Sequence, residues 1–283
     1  LEIQTKDLSK IGPIGVFDSG YGGLTIFKEI KKLLPQYDYI YLGDNARAPY
    51  GTRSFDTVHK YTLECVKWFF SKKCPLVILA CNTASAKALR TIQQRDLKEI
   101  TSSENRVLGV IRPTTENIGQ HTRTNCIGIL ATNGTVASQS YPLEIKKFNP
   151  DVEVYQQACP MWVPLIENDA YDNAGARYFY KNDLKKLLSC SPKMDTILLG
   201  CTHYPIIMDI IREYVPSGVK ILSQDFIVAD SLKDYLYRHP DLESRLSKRS
   251  QIQFYTTGSV DDFDRHAPLF FDSNIESIHL DLK

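Results

Sequence analysis

Two short apolar runs, Pro75-Leu76-Val77-Ile78 and Thr196-Ile197-Leu198-Leu199, each lead directly into a cysteine with polar neighbours. The first continues as Leu79-Ala80-Cys81-Asn82-Thr83-Ala84-Ser85 and then into an Ala-, Leu- and Lys-rich, helix-like stretch ending at Arg90. The second continues as Gly200-Cys201-Thr202-His203-Tyr204-Pro205 and then into Ile206 to Tyr214. Runs of this length and composition read as strands buried on both faces. A strand that hands over to a helix is the repeating joint of an open α/β sheet, and ligands bind at the carboxyl ends of such strands. The polar side chains of Asn82 and Thr83, with the free N–H groups of a helix N-terminus, would suit a carboxylate. The helix dipole is also expected to push the Cys81 thiol toward thiolate. Two matched joints predict two thiols facing one site.

The rest of the chain repeats the alternation. Ile14-Gly15-Val16-Phe17 is another strand, ending in Asp18-Ser19-Gly20-Tyr21-Gly22-Gly23-Leu24 before a helical pattern from Thr25 to Leu34. Its G-x-G-G spacing departs from the dinucleotide fingerprint, and no acidic residue stands where a ribose would need one. The turn reads instead as a close approach of backbone N–H groups to an anion, with Asp18 and Ser19 as side-chain participants. Tyr39 to Leu42 is a strand, followed by a turn-rich loop, Gly43 to Gly51, that carries Tyr50. Phe55 to Phe70 is an amphipathic helix, and Gln93 to Glu104 a polar surface segment. Val107 to Ile111 reads as a strand stopped by Pro113. Cys126 to Leu130 is a strand that runs into the hydroxyl-rich junction Ala131-Thr132-Asn133-Gly134-Thr135-Val136. Val152 to Tyr155 reads as a short strand and Cys159 to Glu167 as an apolar loop with an acidic end. Asn182 to Leu188 and Phe226 to Tyr237 read as helices, Val219 to Leu222 as a strand, and Asp241 to Arg249 as a solvated helix face. Gln251 to Thr257 reads as the last strand. The expected fold is α/β: two similar domains with mostly parallel sheets and the active site in the cleft between them. The expected limits are residues 1–111 with 223–283 for the first domain and 112–222 for the second.

At 283 residues the chain can bury a substantial core. Its net charge of +1 argues against a nucleic-acid partner. No apolar run approaches a membrane span, and Leu1 to Lys6 lacks the apolar core of a signal peptide, so a cytoplasmic protein is expected. The seven cysteines are odd in number and include no C-x-x-C pair, which argues against a disulfide framework and against a zinc site. Cys65, Cys74, Cys126, Cys159 and Cys190 read as packing residues.

Phe17-Asp18-Ser19-Gly20, Leu42-Gly43-Asp44 with Pro49-Tyr50-Gly51, the Cys81 block, Cys159-Pro160 with Val163 to Glu167, and the Cys201 block together resemble the glutamate racemases of the aspartate/glutamate racemase superfamily. The resemblance runs in unbroken order from about Ile14 to Ile207. It is most specific at the two cysteine blocks, departs from the commonest forms at Asn45 and Thr114, and fades after Leu222. It implies a cofactor-independent enzyme that interconverts L- and D-glutamate, the D-enantiomer supplying peptidoglycan. Cys81 would deprotonate D-glutamate and Cys201 L-glutamate, with Asp18 beside the first thiol and His203 and Glu167 beside the second. Ser19, Tyr50, Gly51, Asn82, Thr83 and Thr202 resemble the family's substrate binders, and Asp18 and His203 are candidates for the same role. Thr132 and Thr135 are further candidate donors. Family members form dimers, so a homodimer is compatible with the resemblance.

The chemistry has its own requirement. Inverting a stereocentre by proton exchange needs one thiolate to take a proton and one thiol to give one, while a free thiol near pKa 8.5 is mostly protonated at neutral pH. Activation must therefore come from neighbours. Each candidate also has a plainer role. A single buried cysteine is commonly packing, Asp18 and the threonines commonly cap helices, and Glu167 could cap a helix or pair with a lysine. Rival functions are an aspartate racemase, a one-thiol decarboxylase, a binding module for an acidic amino acid, and a thiol-based sensor.

Overall fold

The computed structural model describes residues 11–101 and 104–282, so Leu1 to Lys6, read above for a leader, lie outside the described residues. The strands are β1 (Ile14–Asp18), β2 (Tyr39–Gly43), β3 (Leu76–Leu79), β4 (Arg106–Gly109), β5 (Cys126–Ala131), β6 (Glu153–Ala158), β7 (Thr196–Gly200), β8 (Lys220–Leu222), β9 (Ile252–Thr256) and β10 (Ser277–His279). They form two sheets, one in the order β10-β9-β2-β1-β3-β4 and one in the order β6-β5-β7-β8. Every pairing between these strands is parallel. The expected two-sheet α/β fold is therefore present. Helices cover both faces of each sheet, which is why β1, β2, β3, β5 and β7 are buried along their whole length.

The strand order positions the site. In the first sheet the chain runs outward from β1 to β2 on one side and returns to β3 on the other. In the second it does the same about β5, with β6 on one side and β7 on the other. Connections diverge at such a point and leave a crevice beyond the carboxyl ends of the strands. Each sheet thus opens one crevice, above β1/β3 and above β5/β7. After β8 the chain returns to the first sheet. The helix Asp225–Arg238 buries Val228, Ala229, Leu232 and Leu236, and the first core cluster joins these to Leu24, Ile26, Phe27 and Ile30 of the helix Gly23–Leu33.

Several sequence expectations need correction. β4 ends at Gly109, and Ile111–Asn117 is a helix with Pro113 in its first turn, where proline's missing N–H costs nothing. Trp162–Glu167 is a helix, not part of an apolar loop, anchored by Trp162 donating from Nε1 to Asp183 at 3.0 Å. The helix before β7 spans Ala174–Leu188, starting where Asn173 caps it by accepting from the Ala176 N–H. The polar stretch after Gln93 is helical as far as Ile100 and buries Asp96 against His59 at 2.6 Å. Within Asp241 to Arg249 the helix is only Pro240–Glu243, and Leu242 and Leu246 are buried. β9 is followed by β10, whose three residues are too few to show alternation.

Candidate active site

The two crevices face each other and share one cavity. From the first sheet it is lined by Ser19 after β1, by Tyr50 and Gly51 on the loop after β2, and by Cys81, Asn82 and Thr83 after β3. From the second it is lined by Thr132 after β5, Glu167 on the helix Trp162–Glu167, and Cys201, Thr202 and His203 after β7. Asp18 and Thr135 stand just behind this lining and are fully buried. Every sequence-derived candidate therefore converges on one place.

The two halves meet closely. Thr83 Oγ1 lies 3.0 Å from Thr132 Oγ1, and Thr132 Oγ1 lies 3.1 Å from Thr135 Oγ1, so hydroxyls from both sheets form one cluster. Thr132 also caps the helix Asn133–Ser138, accepting from the Thr135 N–H at 3.3 Å. Gly134 N–H donates to the Gly51 carbonyl at 2.8 Å. The Thr25 hydroxyl donates to the Thr202 carbonyl at 3.0 Å. A Cβ at Gly22 would fall 2.3 Å from both Thr202 Oγ1 and His203 Nδ1, so glycine here leaves room for those two side chains.

Cys81 is the N-cap of the helix Asn82–Lys87, its sulfur accepting from the Ala84 N–H at 3.4 Å and lying 3.4 Å from Ser19 Oγ. Burial pushes this thiol up to about 12, and the Asp18 charge pushes the same way, against the opposing pull of Ser19 and the Ala84 N–H. The N–H at the helix start does pull the thiol down, as expected, but desolvation together with Asp18 outweighs it, so the net direction is opposite to the expected one. Asp18 Oδ2 accepts from the Gly20 N–H at 2.9 Å, while Oδ1 is buried without a partner. Burial raises the Asp18 carboxyl above its usual range, and the His203 charge works against that rise. Asp18 does not cap the following helix, whose N-cap is Gly22.

The second thiol is furnished differently. Cys201 Sγ lies 3.8 Å from His203 Nδ1, and His203 Nε2 lies 2.9 Å from Glu167 Oε1. Burial alone would drive the imidazole down, but the hydrogen bonds and charges of Cys201 and Glu167 hold it well above its ordinary value. Its two partners thus favour the protonated form of the imidazole, against the effect of burial. Glu167 closes its helix at the C-terminal end and pairs with His203 rather than with a lysine.

The Tyr50 hydroxyl donates to buried Asp44, which also holds Arg47 at 2.7 Å and the Thr257 hydroxyl at 2.7 Å. That hydroxyl is therefore occupied away from the cavity. Cys159, read as packing, lines the cavity together with Pro160, Val163 and Pro164 and makes one wall apolar. The motif Cys159-Pro160 was visible in the sequence, but reading the segment as a loop hid which side it faces. Among the described residues no group of three or more His, Cys, Asp or Glu side chains could hold a metal, and no helix is long and apolar enough to cross a membrane.

Residues 14–225 match the profile of the Asp/Glu/hydantoin racemase family. The chain belongs to that family. It is 35% identical to glutamate racemase 2 of Caldanaerobacter subterraneus subsp. tengcongensis, covering 95% of this chain and 96% of the relative. Its fold superposes on the crystal structure of a glutamate racemase isoform from Bacillus anthracis with a TM-score of 0.86, at 32% identity, covering 96% of this chain and 98% of that one. The glutamate racemase of Francisella tularensis, solved with D-glutamate, superposes with a TM-score of 0.82 at 31% identity, covering 96% of this chain and 98% of that one. The racemase profile ends at residue 225, before β9 and β10, although those strands complete the first sheet.

Proposed function

We propose that this chain interconverts L- and D-glutamate by proton transfer at the α-carbon between two cysteines, without calling on a cofactor. The observation that carries the reading is that Cys81 and Cys201, from different sheets, line one cavity. A planar carbanion between them would be reached from opposite faces. In the L-to-D direction the Cys201 thiolate removes the α-proton and the Cys81 thiol delivers one to the other face. In the reverse direction the roles exchange. The resting electrostatics suit the first arrangement. Beside Cys201 stands an imidazole that its partners hold above its ordinary value, and burial with Asp18 pushes the Cys81 thiol up.

The carbanion is stabilised as its carboxylate takes on further negative charge, which asks for donors already in place. Asn82 Nδ2 is buried without a partner in the protein, and the hydroxyls of Ser19, Thr83, Thr132 and Thr202 belong to residues that line the same cavity. Asp18, with one unpartnered oxygen, suits the substrate ammonium. Similarity to bacterial glutamate racemases supports a cytoplasmic role supplying D-glutamate to peptidoglycan.

The test is incubation of each glutamate enantiomer in deuterated buffer, following optical rotation and loss of the α-proton by NMR. Inversion with deuterium incorporation is expected for the wild type. Binding of glutamate without exchange would make the protein a binding module, and exchange of aspartate in preference to glutamate would reassign the substrate.

A further inference from the structure

The Asn82 carboxamide can face its ligand with either end, and a substrate carboxylate needs the amide nitrogen. Asn82 Oδ1 accepts a hydrogen bond from the Tyr141 hydroxyl at 2.6 Å. That bond fixes the oxygen and leaves Nδ2, buried and without a protein partner, as the free end. Tyr141 is itself completely buried and does not line the cavity. It belongs to the helix Ser140–Phe148, which follows β5 of the second sheet, whereas Asn82 follows β3 of the first. The orientation of a donor in one half is thus decided by a side chain from the other.

The local backbone is built for this reach. The helix Asn133–Ser138 is broken from Ser140–Phe148 by Gln139, a non-glycine residue held in the left-handed region at φ 54°. Such a residue is uncommon and persists where its surroundings hold it. Immediately after the break, Ser140 Oγ donates to the Ala86 carbonyl at 3.1 Å and Tyr141 donates to Asn82. Residues 82 and 86 are one turn apart on a single face of the helix Asn82–Lys87, so two adjacent residues grip one face of it. Behind the phenol, Gln224 donates from Nε2 to Thr114 Oγ1 at 2.9 Å and to the Val110 carbonyl at 3.2 Å.

We propose that Tyr141 is a positioning residue for the substrate carboxylate: reaching across the cleft, its hydroxyl locks the Asn82 amide with Nδ2 presented to the ligand. The inference rests on the reading of the cavity as a glutamate site. It couples apposition of the two halves to readiness of a donor, since Asn82 is oriented only while the second half is in place.

The experiment is a double-mutant cycle of wild type, Tyr141→Phe, Asn82→Ala and the double variant. It uses steady-state kinetics from both enantiomers, with glutamate Kd by NMR titration as a second readout where turnover is slow. Tyr141→Phe keeps the ring and is expected to raise KM and Kd about ten-fold with kcat changed less, the size of one lost hydrogen bond to a charged group. In the Asn82→Ala background the same change is expected to alter both by less than about two-fold, because its target is gone. Equal effects in the two backgrounds, or an unchanged KM in Tyr141→Phe, would overturn the inference, and a general loss of fold would appear as such an equal effect. If the wild type neither binds nor converts glutamate, the parent reading falls and takes this one with it. If the wild type is active and the cycle is additive, only the role of Tyr141 falls.

Discussion

The two cysteine joints arise from the same strand-turn design, yet they surround the thiol with different groups. Cys81 caps a short helix, touches a serine, and has a buried carboxylate for its charged neighbour. Cys201 is followed by a turn and a 3₁₀ segment, Tyr204–Ile207, so it has no α-helix start of its own and has instead a histidine backed by a glutamate. One half sets a buried carboxyl beside its thiol and the other an imidazole held up by its partners, so the proposed exchange between two thiols would draw on different surroundings at its two ends.

Four experiments would break or sharpen that contrast. The largest effect is expected from Cys81→Ser and Cys201→Ser, each lowering racemisation by about 10³-fold or more, since each removes an acid–base group from one face. Polarimetry from both enantiomers measures it, and a variant that keeps near-wild-type rates would remove that thiol from the mechanism. Next, His203→Asn should lower kcat by about 10²-fold and make the Cys201 step limiting. The α-deuterium isotope effect on kcat/KM should then grow from L-glutamate and shrink from D-glutamate. An equal change from both enantiomers would mean that His203 does not belong to the Cys201 half.

Glu167→Gln should cost less, about ten-fold, because the imidazole stays in place and loses only its charged support. The sign of its pH effect follows from the electrostatics. Glu167 raises His203, so without its charge the imidazolium deprotonates at lower pH and the alkaline limb of the rate profile moves down. An unmoved limb would assign that limb to another group. The smallest effect is expected for Asp18→Asn on thiol reactivity. Asp18 pushes Cys81 up, so the variant should alkylate with iodoacetamide several-fold faster at Cys81 in mildly alkaline buffer. Exposed Cys190 serves as the internal reference in the mass spectrum. Unaltered labelling would show that burial alone holds the Cys81 thiol protonated.

The sequence was legible where a feature is local. The buried strands at Ile14, Tyr39, Leu76, Cys126 and Thr196 are continuous apolar runs, and their partners do not alter that signal. The helix Trp162–Glu167 is hidden because two prolines interrupt a short apolar segment, and its packing of Trp162 against Tyr180 and Tyr204 comes from parts of the chain distant in sequence. β10 was missed because it is three residues long and half-exposed, and its identity comes from pairing with β9.

By itself the sequence determined that the fold would be parallel α/β and that two cysteines would each follow a buried strand, because apolar runs and turn residues act over a few positions. Only the tertiary structure decided how those thiols differ. The pull of the helix start on Cys81 is outweighed by burial and Asp18, which push the thiol up. The support that holds His203 above its ordinary value comes in part from Glu167, thirty-six residues away in the chain but 2.9 Å away in space. Desolvation and charge pairing depend on what surrounds a group in three dimensions, and no spacing along the chain contains that information.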